Sequence, residues 1–245
     1  MFCTLSLMTF LMIAWKVAPA LACGNTVVLK TAEQTPLSAL YLCTLIQKAG
    51  FPAGAVNVLS GFGKIAGAAI VRHPGIDKIA FTGSTAVGKE IARTAGLKKV
   101  TLELGGKSPN IVFEDADIEQ AVKWSHNGMY FRVMDVVNTR FYNMGQVCSA
   151  TTRIYVQDSI KDKFIKAFAE YTQSNKVGNP FDEDTYQGPQ ISQRQFERIT
   201  EYIKVGKEEG AKLLMGEKPK SPDNGYFIQP HIFTDVKPNM RVLPL

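Results

Sequence analysis

Residues 26–104 alternate short β-branched runs with stretches of helical periodicity, and this alternation constrains the fold more than any other feature of the sequence. Thr26-Val27-Val28-Leu29 reads as a buried strand with Lys30 emerging at its end. Thr35 is placed to cap a helix, Pro36 suits its first position, and Leu37, Leu40, Tyr41 and Leu45 recur at helical spacing before Gly50 and Pro52 stop it. Strands are then expected over 56–59, 78–81 and 100–104, with helices over 65–71 and 86–95 between them. Parallel strands joined by helical crossovers bury both faces of a sheet, so the pattern predicts an α/β, doubly wound parallel sheet.

The pattern loosens after Gly105-Gly106, and a domain boundary is expected there, between 1–105 and 106–245. Beyond it the sequence predicts a strand over 110–113, a helix over 117–129 begun by acidic residues that suit its dipole, a strand over 153–156 and long helices over 160–174 and 192–209. The opening segment, 1–24, has the apolar run and A-x-A-like exit of a leader. It lacks a positive start, and Lys16 interrupts it before the ~20 apolar residues a membrane span needs. A buried helix is the simpler reading.

Composition narrows the function classes. Of 245 residues, 45% are hydrophobic and 20% charged, which is globular usage. The net charge of +6 comes from 28 basic and 22 acidic residues that are dispersed along the chain, which argues against a nucleic-acid stripe. Cys3, Cys23, Cys43 and Cys148 form neither a disulfide framework nor a C-x-x-C metal pair, so the expected setting is reducing and cytoplasmic, without a metal site.

Two glycine turns, Gly61-Phe62-Gly63-Lys64-Ile65-Ala66-Gly67 and Gly83-Ser84-Thr85-Ala86-Val87-Gly88, each follow a strand and open a helix, the placement that lets a pyrophosphate approach backbone amides. Neither is the strict dinucleotide fingerprint, and glycine at such a turn also serves turn chemistry alone. Lys30 and Glu33 sit at the same strand edge, as ribose ligands or as solvated loop charges. Cys148, in the Gly145-Gln146-Val147 loop just before a strand, is a candidate nucleophile or a small buried hydrophobe. Glu103 interrupts the apolar strand Leu102-Glu103-Leu104, where a carboxylate is costly unless paired or used. It is either a general base or an ion-pair partner of Lys107 or Lys99. His73, His126 and His231 share no motif with a serine or with Cys148, so no hydrolytic triad is indicated.

Together these blocks resemble the aldehyde dehydrogenase superfamily. The matching stretches are Trp15 through Lys30, Glu33-Gln34-Thr35-Pro36, Phe81-Thr82-Gly83-Ser84-Thr85, Leu102-Glu103-Leu104-Gly105-Gly106-Lys107-Ser108-Pro109 and Gly145-Gln146-Val147-Cys148, in the family's order. The resemblance implies a Rossmann-like cofactor domain followed by a partial catalytic domain, and oxidation of an aldehyde to an acid with NAD, or NADP. It implies Cys148 as the nucleophile and Glu103 as the base that activates water. It also implies cofactor contacts at Lys30, Glu33, Gly83, Ser84, Thr85, Gly88 and Leu104. Glu33 would repel the 2′-phosphate of NADP and Lys30 would attract it. The partner implied is an aldehyde substrate; the family is homo-oligomeric, but its oligomerisation segment is missing here, and neither nucleic acid nor membrane is expected.

The sequence also departs from that family. A Pro-Trp-Asn-Phe stretch is expected where Leu5-Ser6-Leu7-Met8 stands, which puts an apolar residue, at about Leu7, in place of the oxyanion-hole asparagine; losing such a donor costs about 10²–10³ in rate. Removing residues 132–142 restores the family's spacing between Glu103 and Cys148, so that segment reads as an insert, and the chain is shortened near Ala95-Gly96-Leu97. After Met240-Arg241-Val242 an acidic, Phe-Gly-Pro-containing segment is expected where Leu243-Pro244-Leu245 stands. These departures open an alternative, a catalytically impaired fragment from a mis-spliced or decayed gene.

Overall fold

The computed structural model describes residues 9–127, 142–217 and 225–243. Leu7 and residues 132–141 of the expected insert lie outside them. The chain divides into two compact units, Met1–Gly105 and Gly106–Leu245.

In the first unit the elements run α1 (Thr9–Ala22), β1 (Val27–Lys30), α2 (Leu37–Lys48), β2 (Val56–Leu59), α3 (Ala68–Arg72), β3 (Lys78–Gly83), α4 (Thr85–Thr94) and β4 (Lys99–Leu104). Strands β1 and β2 pair in parallel from Val27 opposite Val56 to Lys30 opposite Leu59, and β3 pairs in parallel with β4 from Lys78 opposite Lys99 to Gly83 opposite Leu104. Because side chains alternate along a strand, each pair feeds two cores. Val27 and Leu29 pack with Ile13 and Val17 of α1 and Ala39 of α2, and Ala80 of β3 joins that cluster. On the other face Ile79 and Phe81 pack with Ile70 and Val71 of α3 and Ile91 of α4, and Val28 of β1 joins them. Helices therefore cover both faces, the doubly wound arrangement.

The opening segment is a helix with Ile13 and Val17 in the core. No helix among the described residues is long and apolar enough to cross a membrane. Helix α2 starts one residue later than its sequence signals suggest. Pro36 occupies the cap position, no side chain caps the helix, and the Thr35 hydroxyl is buried without a hydrogen-bond partner among the described residues. The residues that mark this helix in the sequence are exposed, Leu37 at 77% and Tyr41 at 65%, while Ala39 is fully buried. A residue as small as alanine lets the helix lie close to the sheet, so the larger side chains project elsewhere. The helix expected over 65–71 is instead a π-helical turn, Gly63–Gly67, running into the short α3. The Phe62 carbonyl accepts from the amides of Ile65, Ala66 and Gly67.

The second unit contains β5 (Pro109–Val112), α5 (Ile118–Asn127), β6 (Arg153–Val156), α6 (Lys161–Gln173), α7 (Gln193–Glu208), β7 (Lys212–Met215) and β8 (Ile232–Thr234). Strands β5 and β6 are parallel, with Pro109 opposite Arg153, whereas β7 and β8 are antiparallel with a bulge between Leu213 and Met215. Val112, Val122, Phe164 and Phe168 form one core, with the two phenylalanine rings stacked 5.7 Å apart. Phe196, Ile203 and Ile228 form a second. Ile232 packs on the first and its neighbour Phe233 on the second. Ser192 caps α7 by accepting from the Gln195 amide. Neither β7 nor β8 is signalled in the sequence, because β7 carries no β-branched residue and β8 is only three residues long.

Ile13 is 1% exposed and Phe10 58%, so the two sides of α1 differ in what they stabilise. Ile13→Ala is expected to cost about 2–5 kcal/mol and Phe10→Ala about 0.5 kcal/mol or less. Urea unfolding of the two variants measures the difference.

Candidate functional site

The first unit gathers its candidate residues at the carboxyl ends of its strands. Lys30 ends β1 with no solvent exposure, and a buried ammonium must be fully satisfied by the protein. Its Nζ donates to the carbonyls of Thr31 at 2.6 Å and Gly61 at 2.9 Å, and Glu33 Oε1 lies 3.7 Å away. The same Glu33 oxygen accepts from the Gly63 amide at 2.6 Å. Lys30 and Glu33 thus tie the end of β1 to the glycine turn after β2. Partial burial pushes the Glu33 carboxyl up, but its own and the Gly63 backbone amide, with the Lys30 ammonium, outweigh this and hold it below its ordinary 4.5. Glu33 keeps 32% of its side chain exposed, so of the two it is the one a ligand can reach.

The second glycine turn is built by close packing. A Cβ on Gly83 would come within 2.5 Å of the Phe81 ring, and one on Gly88 within 2.5 Å of Leu104 Cδ2. Gly88 therefore lets the first turns of α4 settle on the end of β4, and the Leu104 side chain fills the space above it. Ser84 caps α4, its hydroxyl accepting from the Val87 amide. Ser84 and Thr85 are exposed, so the positive end of a ten-residue helix faces outward.

Glu103 lies within β4, but it is exposed rather than buried among the strand's apolar residues. Lys99, Thr101 and Glu103 are exposed while Val100, Leu102 and Leu104 pack on the core, because the strand's period of two sends Glu103 to the opposite face. No ion pair joins it to Lys99 or Lys107 among the described residues.

In the second unit Cys148 is exposed and free, which removes the alternative of a buried structural thiol. Its Sγ lies 4.0 Å from Ser149 Oγ. The chain enters its loop through Asn143, Met144 and Gly145, all in the left-handed region with φ of 57°, 56° and 75°, a conformation that costs ordinary residues about 1–2 kcal/mol each. Reciprocal side-chain bonds hold this turn: Asn143 Nδ2 donates to the Gln146 carbonyl and Gln146 Nε2 to the Asn143 carbonyl. Gln146 Oε1 accepts from the Ile191 amide and anchors the loop to the segment before α7. A Cβ on Gly106 would lie 3.0 Å from the Cys148 carbonyl oxygen.

Sequence reasoning passed over Gly106 and Gln146 as positioning residues, and also over a basic pair beside them. Lys107 lies 4.7 Å above the Tyr202 ring. Burial, and then the positive charge of Arg153, lower its ammonium below the ordinary value. Among the described residues no group of His, Cys, Asp and Glu is arranged to hold a metal ion.

Comparison with known proteins gives a consistent result. The model of the aldehyde dehydrogenase family matches residues 8–244. An aldehyde dehydrogenase of Emericella nidulans is 58% identical over 95% of this chain and 45% of its own length. Retinal dehydrogenase 2 of Gallus gallus is 55% identical over 95% of this chain and 43% of its own length. Among solved structures, the NAD+ complex of an aldehyde dehydrogenase from Bacillus cereus superposes with a TM-score of 0.87 at 46% identity, over 95% of this chain and 45% of that one. Betaine aldehyde dehydrogenase of Staphylococcus aureus with NAD+ gives 0.86 at 40% identity, over 96% of this chain and 46% of that one. The chain spans less than half the length of the curated relatives it matches.

The depressed Glu33 carboxyl has a thermodynamic signature. Its stabilisation is fully present above the ordinary value of 4.5 and is lost as pH falls through the lower folded value. The stability gap between the wild type and Glu33→Gln is therefore expected to close on acidification through that window. Denaturation midpoints of both proteins across acidic pH would test it.

Proposed function

The chain belongs to the aldehyde dehydrogenase family, and we propose on that premise that it carries the cofactor-binding and nucleophile-bearing parts of an NAD-dependent enzyme that oxidises an aldehyde to a carboxylic acid. The first unit is the dinucleotide-binding domain and the second the catalytic domain. The observation that carries the reading is the Cys148 loop. It presents an exposed thiol on a left-handed turn, with its backbone seated on Gly106 of the Leu102–Lys107 motif.

The residues of the first unit fit a dinucleotide. The exposed N-terminus of α4, with Ser84 at its cap, suits a pyrophosphate. The Glu33 carboxylate, held ionised, suits the ribose hydroxyls as an acceptor and repels a 2′-phosphate. Lys30 is committed to the Thr31 and Gly61 carbonyls, so little cationic character is left to welcome that phosphate. This supports NAD over NADP. Bound NAD would supply the hydride acceptor.

Cys148 Sγ, as thiolate, adds to the aldehyde carbonyl carbon and forms a C–S bond. Loss of hydride from that carbon leaves a thioester on Cys148. Glu103 takes a proton from the water that attacks it, the C–S bond breaks, and the acid departs with the thiolate restored. The open face of β4 on which Glu103 lies suits a group that must reach water.

The test follows aldehyde-dependent NADH absorbance of the purified chain with short and aromatic aldehydes. Turnover is expected and Cys148→Ala is expected to abolish it; no NADH with any aldehyde, or turnover that survives the substitution, overturns the reading. Gly106→Ala must displace the Cys148 carbonyl by a few tenths of an ångström and is expected to cost about tenfold in kcat, since about 1 Å costs ~10²-fold. Glu33→Gln is expected to shift the kcat/KM ratio toward NADP, measured with each cofactor in turn.

A further inference from the structure

The second unit contains a concentration of positive charge that the proposed chemistry does not use. Arg153 opens β6, opposite Pro109 at the start of β5, and its Nε is fully buried with no hydrogen-bond partner among the described residues. Lys107, just upstream on the approach to β5, is half-buried and rests on the Tyr202 ring. No carboxylate among the described residues lies within ion-pair distance of either. The acidic group acting on Tyr202, Glu209, is already taken: both its oxygens accept from Arg241, one from the backbone amide and one from Nε. The other charge acting on that ring is Arg198, a further cation.

Two like charges removed from water beside each other are unfavourable unless a counter-charge arrives. The ring beneath Lys107 offers only the weaker cation–π attraction. A guanidinium carries a planar fork of N–H donors that matches a carboxylate, and the unpartnered Nε shows that the donors of Arg153 are not all satisfied by the described residues. We propose that Lys107 and Arg153 form an anion subsite that takes a carboxylate, borne by a small organic acid or by a protein side chain. The subsite belongs to the second unit alone and needs neither NAD nor aldehyde, so it stands apart from the proposed activity.

The experiment is thermal unfolding of the whole chain, followed by circular dichroism at constant ionic strength in chloride. Acetate is titrated in one arm and the peptide acetyl-Ala-Glu-Ala-amide in another, with wild type, Lys107→Met and Arg153→Gln. Lys107→Met removes one of two like charges that act on each other, so it is expected to fold at least as well as the wild type without added anion. A saturable rise in Tm with acetate, weakened at least about tenfold in apparent affinity in both variants, supports the subsite with a small acid as its occupant. No response to acetate but a saturable response to the peptide, lost in both variants, supports it with a protein carboxylate instead. The proposal is overturned if chloride does as well as the two carboxylates, if the response persists in either variant, or if neither ligand has an effect.

Discussion

An ammonium group with no exposure to water must find every one of its partners within the protein, and the Lys30 ammonium finds them in two carbonyls and one carboxylate. The Gly61 carbonyl can reach it only because the chain after β2 turns back over the end of β1. The Glu33 carboxylate, in turn, is oriented by the Gly63 amide. The end of β1 and the turn after β2 are thus joined by the need to neutralise one buried charge. The cost of leaving that charge unpaired, several kcal/mol in a low-dielectric interior, makes the local arrangement narrow.

The second unit solves a different problem, that of holding a thiol outward on a short loop. Three successive left-handed residues turn the chain sharply, and the exchange of side-chain bonds between Asn143 and Gln146 pins the result. Gly106 contributes by absence, since any side chain there would meet the carbonyl of Cys148. The left-handed residues thus place backbone strain next to the exposed thiol.

Much of this was legible in the residues. The four strands of the first unit are short and β-branched, and the helices between them carry their own signals, so element order and the covering of both faces follow from pattern alone. Glu103 was misread as a costly carboxylate inside an apolar strand, although in Lys99-Val100-Thr101-Leu102-Glu103-Leu104 the apolar residues share one face and the acid falls on the other. Lys30 was not legible, because a lysine at a strand end is usually solvated and only the tertiary return of Gly61 buries it. The face of α2 was misleading since alanine, the residue that makes the contact, carries almost no signal. The turn at Gly63–Gly67 announces itself by its glycines, but their spacing does not say that three amides will converge on the Phe62 carbonyl.

Strand β8 is only three residues long, yet its first two side chains serve different interiors, Ile232 joining the phenylalanine stack of α6 and Phe233 the cluster beneath α7. A strand that stitches two cores in this way behaves like a vernier. Slipping it by a single residue would exchange the two side chains and leave both interiors wrongly filled. The bulge between Leu213 and Met215 fixes that register on the partner strand, setting Phe233 opposite Leu213 and Ile232 opposite Met215 so that each side chain meets its own interior.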